Sequence, residues 1–290
     1  MSSRAQKERT IAILALALVV AFAGAATARA LTQAASQQAS PQSHAKFELI
    51  AEEDSFRPGH TLWIGLHFEL DEGWHIYWQN PGDSGEPPRV EWNLPAEFEA
   101  GAIRWPAPKR LGSGSVVDYG YEGQVLLMAP LRIAAGVKAA SPVTIGATVK
   151  YLVCREICIP GKADVMLKIP PAAKDFFGAH FSQWHKLFAQ TREDLPRPIP
   201  AGWKIAAEAK GNQFVLSVHG VVARRGAEFF PLDSNVIENS APQILASSGA
   251  GFQLTLRKSD QLTKPVATLR GVLVVDGATA YRISAPIAPR

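Results

Sequence analysis

The sequence predicts an all-β protein of two β-sandwich domains joined by a helix and a proline-rich linker. Three features predict it: short runs with an apolar residue at every second position, clusters of Gly, Pro, Asn and Asp between those runs, and one central stretch with aromatic residues at three- and four-residue spacing.

The first of the 290 residues are of a different kind. Arg4, Lys7 and Arg9 precede an apolar stretch from Ile11 to about Ala26, and small-residue tripeptides that a signal peptidase could cut after Ala28 or Ala30 follow at once. Residues 1–30 are therefore expected to be a secretory signal peptide, and the run is short for a bilayer-spanning helix of about 20 residues. If it is not cleaved, it would tether the chain. Residues 31–45 are polar and aperiodic and are expected to be a flexible leader.

Export to the periplasm as a soluble protein follows from that reading. The net charge of +4 is concentrated in the expected signal peptide, where Arg4, Lys7, Arg9 and Arg29 stand against Glu8. The remainder is near neutral and has no Lys/Arg run. Nucleic acid is thereby excluded as a partner, because its phosphates call for a basic stripe.

Residues 46–170 are expected to be the first sandwich. Leu62, Ile64, Leu66, Phe68 and Leu70 alternate with less apolar neighbours. So do Val143, Ile145, Ala147, Val149, Tyr151 and Val153, and then Val165, Leu167 and Ile169. Turn-forming clusters separate them at residues 80–85 (Asn-Pro-Gly-Asp-Ser-Gly) and 111–115 (Leu-Gly-Ser-Gly-Ser). Phe177, Phe181, Trp184 and Phe188 predict one amphipathic helix over residues 172–192.

Alternate prolines in residues 195–200 (Leu-Pro-Arg-Pro-Ile-Pro) forbid both a continued helix and a central strand, so residues 171–200 are expected to be helix and linker. Strand periodicity resumes with Phe214, Leu216 and Val218, with Phe252, Leu254 and Leu256, and with Val272 and Val274. Residues 201–290 are the expected second sandwich. With no cysteine and no dense ionisable cluster, it is expected to serve as a scaffold or docking module.

The chemistry centres on Cys154 and Cys158, the two cysteines of the chain. A straight strand would hold their Cα atoms roughly 13 Å apart, whereas a disulfide needs roughly 4.4 to 6.8 Å. The backbone must therefore turn between them. Cys154 also falls on the face opposite Val149, Tyr151 and Val153, so its sulfur is expected to avoid the core. Three chemistries fit such a pair in an exported chain: reversible thiol–disulfide exchange, a structural disulfide, or a Cu(I) site completed by His75 or Met128. The short loop argues against a staple, since the entropy removed from the unfolded chain grows with loop length. Arg155 would favour a thiolate at Cys154 and Glu156 would oppose it.

These residues carry a resemblance. The run from Gly73 to Gly85 (Gly-Trp-His-Ile-Tyr-Trp-Gln-Asn-Pro-Gly-Asp-Ser-Gly), the run from Ile103 to Pro108, Asp118-Tyr119-Gly120-Tyr121-Glu122, and Leu152-Val153-Cys154 through Cys158-Ile159-Pro160-Gly161 resemble the periplasmic N-terminal region of the thiol:disulfide interchange protein DsbD, and more closely that of the ScsB (suppressor of copper sensitivity) type. Phe229-Phe230-Pro231, Ala241-Pro242-Gln243 and Gly271-Val272-Leu273-Val274 extend the ScsB likeness into the second domain.

The resemblance implies an immunoglobulin-like first domain and no cofactor. It also implies a protein-disulfide reductase type of electron relay, serving cytochrome c maturation or copper tolerance. Electrons would arrive from a membrane thiol–disulfide transporter and leave to periplasmic thioredoxin-like oxidoreductases. Cys158 would form the mixed disulfide with a partner and Cys154 would resolve it. The Asp118-Tyr119-Gly120 segment, with Tyr121 beside it, corresponds to a mobile cap, and His75 and Tyr77 correspond to aromatic residues flanking the pair. DsbD has a wider cysteine spacing and a Phe where this chain has Asp118. The eight-helix membrane domain that normally follows is expected to be a separate protein here.

Overall fold

Strands form where the apolar alternation runs. In chain order the first ten are β1 (Ala45–Ala51), β2 (Thr61–Leu70), β3 (His75–Gly82), β4 (Arg89–Asn93), β5 (Phe98–Ala100), β6 (Lys109–Leu111), β7 (Asp118–Glu122), β8 (Gln124–Ile133), β9 (Val143–Cys154) and β10 (Cys158–Ile169). The structure is a computed structural model and describes residues 44–288 apart from positions 113, 139, 174–177, 179 and 278. The expected signal peptide and all of the expected leader but its last two residues lie outside the described residues. Ala45, the last residue of that leader, already pairs with Leu70 as the first residue of β1.

These strands build two antiparallel sheets. One has the order β1-β2-β8-β5, and the other β10-β9-β3-β7-β6 with β4 also paired to β9. Leu62, Ile64, Leu66 and Phe68 of β2 share one buried cluster with Ile145, Ala147, Val149, Tyr151 and Val153 of β9. Alternate residues of facing sheets thus make the core, as in an immunoglobulin-like sandwich.

The helix is shorter than its aromatic spacing predicts. α1 spans His185–Asp194, not residues 172–192. Backbone pairing outcompetes it upstream: Asp54 N donates to His180 O and Ser182 N to Glu52 O, so this stretch runs alongside the end of β1. Phe181 is left half-exposed at a bridge to Glu53, and Phe177 lies outside the described residues. Phe188 is fully buried against Ile50, Leu126 and Met128 on the outer face of the first sheet. Arg192 and His185 reach the buried Glu52 carboxylate.

The remaining strands are β11 (Arg197–Pro198), β12 (Lys204–Lys210), β13 (Gln213–His219), β14 (Ala227–Pro231), β15 (Ile244–Ser248), β16 (Gly251–Arg257), β17 (Thr268–Val275) and β18 (Thr279–Pro286). They form sheets of order β11-β18-β17-β14 and β12-β13-β16-β15. The proline-rich β11 sits at a sheet edge, where a missing N–H is tolerated.

Phe229, Leu273 and Ile283 point into the core of the second sandwich. Their strand neighbours Phe230 and Val272, together with Ala280, point the other way and join the core of the first. The Phe230 ring meets Tyr119 edge-on at 5.2 Å and Trp78 at 6.4 Å. One sheet of the second sandwich therefore has both faces covered.

Candidate functional site

Cys154 ends β9 and Cys158 begins β10, and they are direct partners across the antiparallel pair. Their Cα atoms are 4.1 Å apart and the sulfurs are joined in a disulfide. The chain reverses over Arg155, Glu156 and Ile157, with Arg155 N donating to Ile157 O. This is the turn that the spacing demanded.

Period-two geometry selects the residues around the sulfurs. His75 of β3 is the register partner of Cys154, and Glu122 of β7 is the partner of His75. Cys154, Cys158, His75, Tyr77, Asp118 and Glu122 therefore share one face of the sheet. Ile76, Trp78, Tyr151 and Val153 take the other and belong to the core cluster. Cys154 avoids the core, as its position in the strand predicts, yet it is only 2% exposed because the face is crowded. Cys158 is exposed, and Ile157 beside it is 66% exposed. One sulfur is open to a partner and the other lies behind it.

Tyr77, itself fully buried, places its hydroxyl 3.5 Å from Cys158 Sγ and 3.5 Å from Ser84 Oγ. Ser84 Oγ donates to the Asp118 carboxylate at 2.9 Å, and Ser84 N donates to it at 3.0 Å. With its own proton committed to Asp118, Ser84 can only accept from Tyr77. The sulfur of a disulfide has no proton, so the single Tyr77 proton is shared between Ser84 Oγ and Cys158 Sγ. Burial pushes the Tyr77 phenol up, which keeps that proton in place; the Ser84 hydrogen bond opposes the shift and Asp118 reinforces it.

His75 is 9% exposed, and its Nε2 has no hydrogen-bond partner; the nearest carboxylate oxygen, on Asp118, is 3.8 Å away. Burial holds the imidazole below its ordinary value against the pull of Asp118 and Glu122. The ring is thus neutral near pH 7, with an imidazole directly across the ladder from Cys154.

Arg155 does not face the sulfurs. Its guanidinium lies over the Trp74 ring at 5.8 Å, and Glu156 is 3.8 Å from it. The two turn charges neighbour each other in solvent.

Three expected residues sit elsewhere. Tyr119 and Tyr121 alternate with Asp118 along β7 and point into the core, where burial pushes both phenols up. Their hydroxyls donate to Asn239 Oδ1 and Pro106 O, each at 2.8 Å. The segment expected as a mobile cap is strand β7, hydrogen-bonded to β3 on one side and to β6 on the other. Met128 is fully buried beneath α1 in a separate cluster and is removed from any Cu(I) set with Cys154, Cys158 and His75. Among the described residues, no group of three or more His, Cys, Asp or Glu side chains could hold a metal ion.

Residues 46–170 match the family described as thiol:disulfide interchange protein DsbD, N-terminal. This part of the chain is similar to that family. The DsbD N-terminal match covers the disulfide and every residue on its face. The crystal structure of the N-terminal periplasmic domain of ScsB from Proteus mirabilis aligns with a TM-score of 0.63 at 17% identity, over 86% of this chain and 95% of that one. That likeness establishes the fold and extends beyond the DsbD N-terminal region into the second sandwich.

The YadV chaperone (8% identity, TM-score 0.23, 82% of this chain and 99% of that one) and domains 5–6 of the S-layer protein SbsC (10%, 0.22, 84% and 98%) align too loosely to inform the site. No curated protein matches the chain.

Ser84, Glu122 and Asn239 were not singled out by sequence. Ser84 lies within the quoted 73–85 run, where it reads as an ordinary turn residue. Asn239 has no sequence signal that links it to the site.

Proposed function

We propose that this chain is a periplasmic thiol–disulfide exchange protein that relays reducing equivalents from a membrane thiol–disulfide transporter to thioredoxin-like oxidoreductases. The observation that carries this reading is the asymmetry of the pair: Cys158 is exposed at the tip of a hairpin while Cys154 is buried behind it. Exchange needs in-line access to one sulfur and a second sulfur held ready to resolve. The DsbD N-terminal family match supports it further.

Reduction begins when a donor thiolate attacks Cys158 Sγ. The Cys154–Cys158 bond breaks, a donor–Cys158 disulfide forms, and Cys154 leaves as a thiolate that takes up a proton. A second donor thiolate then attacks its own partner sulfur and releases Cys158 as a thiolate. The donor is left oxidised, and this protein has gained two electrons and, with Cys158 still a thiolate, one proton.

Delivery runs in reverse. The Cys158 thiolate attacks a disulfide of the acceptor, one acceptor sulfur leaves, and Cys154 then attacks Cys158 Sγ to release the reduced acceptor. Tyr77 O–H stabilises the charge at Cys158 at both stages, and His75 is the base closest in register to the Cys154 proton.

The test is trapping. A Cys154→Ala variant mixed with an oxidised thioredoxin-like periplasmic protein should accumulate a mixed disulfide through Cys158, whereas Cys158→Ala should not. Failure of the first variant to trap would remove the relay.

A further inference from the structure

A side chain of the second sandwich reaches into the neighbourhood of the disulfide. Asn239 is 7% exposed and uses both ends of its amide. Oδ1 accepts from the Tyr119 hydroxyl at 2.8 Å, and Nδ2 donates to Asp83 Oδ1 at 2.7 Å. Its main-chain carbonyl accepts from Arg110 Nη2.

Asp83 in turn holds the leading end of β7: its Oδ2 accepts from Val117 N at 2.7 Å, and its own N donates to Val117 O at 3.1 Å. The next residue is Ser84, which carries the Tyr77 and Asp118 contacts described above.

The first sandwich does not brace this loop alone. The β3–β7 register runs from His75 to Tyr77 and then shifts, resuming only at Gly82 with Asp118. Within that gap, Asn80 Nδ2 donates to Pro231 O at 2.8 Å and Asn80 Oδ1 accepts from Ser234 Oγ at 3.3 Å, both from the second sandwich. Support that the ladder omits is supplied from outside.

We propose that Asn239 is a positioning residue for the disulfide, acting through Asp83 and Ser84 to hold the Tyr77 hydroxyl at Cys158. The second sandwich then tunes the exchanging sulfur rather than merely carrying it. Without the Asn239 amide, the buried Tyr119 hydroxyl loses its partner and the exposed Asp83 carboxylate is free to turn toward water. The loop loosens, and Tyr77 loses its fixed place.

The proposal rests on Cys158 being the exchanging sulfur, and its test is independent of any partner. In full chain carrying Cys154→Ala, the alkylation rate of Cys158 by iodoacetamide is followed against pH, with and without Asn239→Ala. The charged and titratable groups near Cys158 are Tyr77 and His75 from β3, Asp118 and Glu122 from β7, and Arg155 and Glu156 from the turn; the variant changes none of them.

Asn239→Ala should raise the apparent thiol pKa and slow alkylation at pH 7 by about 3- to 10-fold, the loss of roughly one hydrogen bond to a charged sulfur. Ser84→Ala should do the same, and the double variant should do no more than either alone, since both act on one link. A profile that superimposes on the parent's, or effects that multiply, would overturn the proposal.

Should Asn239→Ala not fold, Asp83→Asn breaks the same loop bracing at constant volume, because Val117 N and Asn239 Nδ2 address different carboxylate oxygens and an amide replaces one of them with a donor; the same shift is expected, and no shift overturns. If the unmodified disulfide fails to equilibrate with glutathione while these alkylation shifts appear, the relay reading falls and the positioning role stands.

Discussion

The Tyr77 hydroxyl and the Cys158 sulfur lie 3.5 Å apart although 81 residues separate them in sequence. The phenol is buried and held protonated, so it stabilises a thiolate at Cys158 more than a thiol. Tyr77→Phe keeps the ring and removes the donor. In a Cys154→Ala background the thiol pKa of Cys158 should rise by about one unit, read as a shifted pH profile of alkylation.

Gly85 sets the approach of that ring. A Cβ at Gly85 would stand 2.1 Å from Tyr77 Cζ, and its φ of +70° disfavours a side chain as well. Gly123 has a comparable φ of +68° but open space around it. Each Gly→Ala change should cost about 1 kcal/mol for backbone strain. Only Gly85→Ala should also displace Tyr77 and change the alkylation profile of Cys158. Equal effects of the two on that profile would show that strain, and not contact with Tyr77, is responsible.

Burial holds His75 and His67 below their ordinary value of 6.5, against Asp118 and Glu122 for the first and against Glu69 and Glu48 for the second. As the pH falls through 6.5 the unfolded chain takes up protons that the native chain does not, so the unfolded state is favoured and stability declines toward acid. This contribution is complete above 6.5 and shrinks as the pH drops toward the depressed folded values. His75→Phe should flatten the decline between about pH 7 and pH 5, measured by urea unfolding of the oxidised protein. An undiminished slope would mean that His75 titrates normally.

Glu52 offers a change on the far side of the first sandwich. Its side chain is 7% exposed and binds both Arg192 and His185 of α1, while the Arg192 guanidinium also covers the Trp63 ring at 5.5 Å. Arg192 is about one third exposed, which screens the pair. Glu52→Ala should therefore cost about 1 to 3 kcal/mol rather than the full cost of breaking a buried pair. Thermal unfolding should register the loss, while mixed-disulfide trapping through Cys158 should proceed at the parent rate.

Much of the fold was legible because strand periodicity is a local property. The alternation over residues 143–153 specifies which side of β9 meets the core and therefore which side carries Cys154, whatever the rest of the chain does. The same logic places Asp118 and Tyr119 on opposite faces, so the two tyrosines expected in a cap over the pair, Tyr119 and Tyr121, point into the core from strand β7. The helix was overestimated for the complementary reason. Aromatic spacing reports on a possible face, but the backbone groups that residues 180 and 182 pair with, Asp54 N and Glu52 O, lie just past β1, far off in sequence.

By itself, then, the amino-acid sequence determined the sandwich class, the close spacing of the two cysteines, the need for a turn between them and the outward face of the first, since each follows from spacings of a few residues. The tertiary structure alone decided that Cys158 is open while Cys154 is covered, that Tyr77 meets the sulfur with Ser84 behind it, and that Asn239 is bonded to Asp83 of that loop. Asp83 and Asn239 are 156 residues apart in the chain. No local pattern encodes such a meeting; it arises because one sheet of the second sandwich must bury Phe230 and Val272 against the first, and Asn239 is carried there with it.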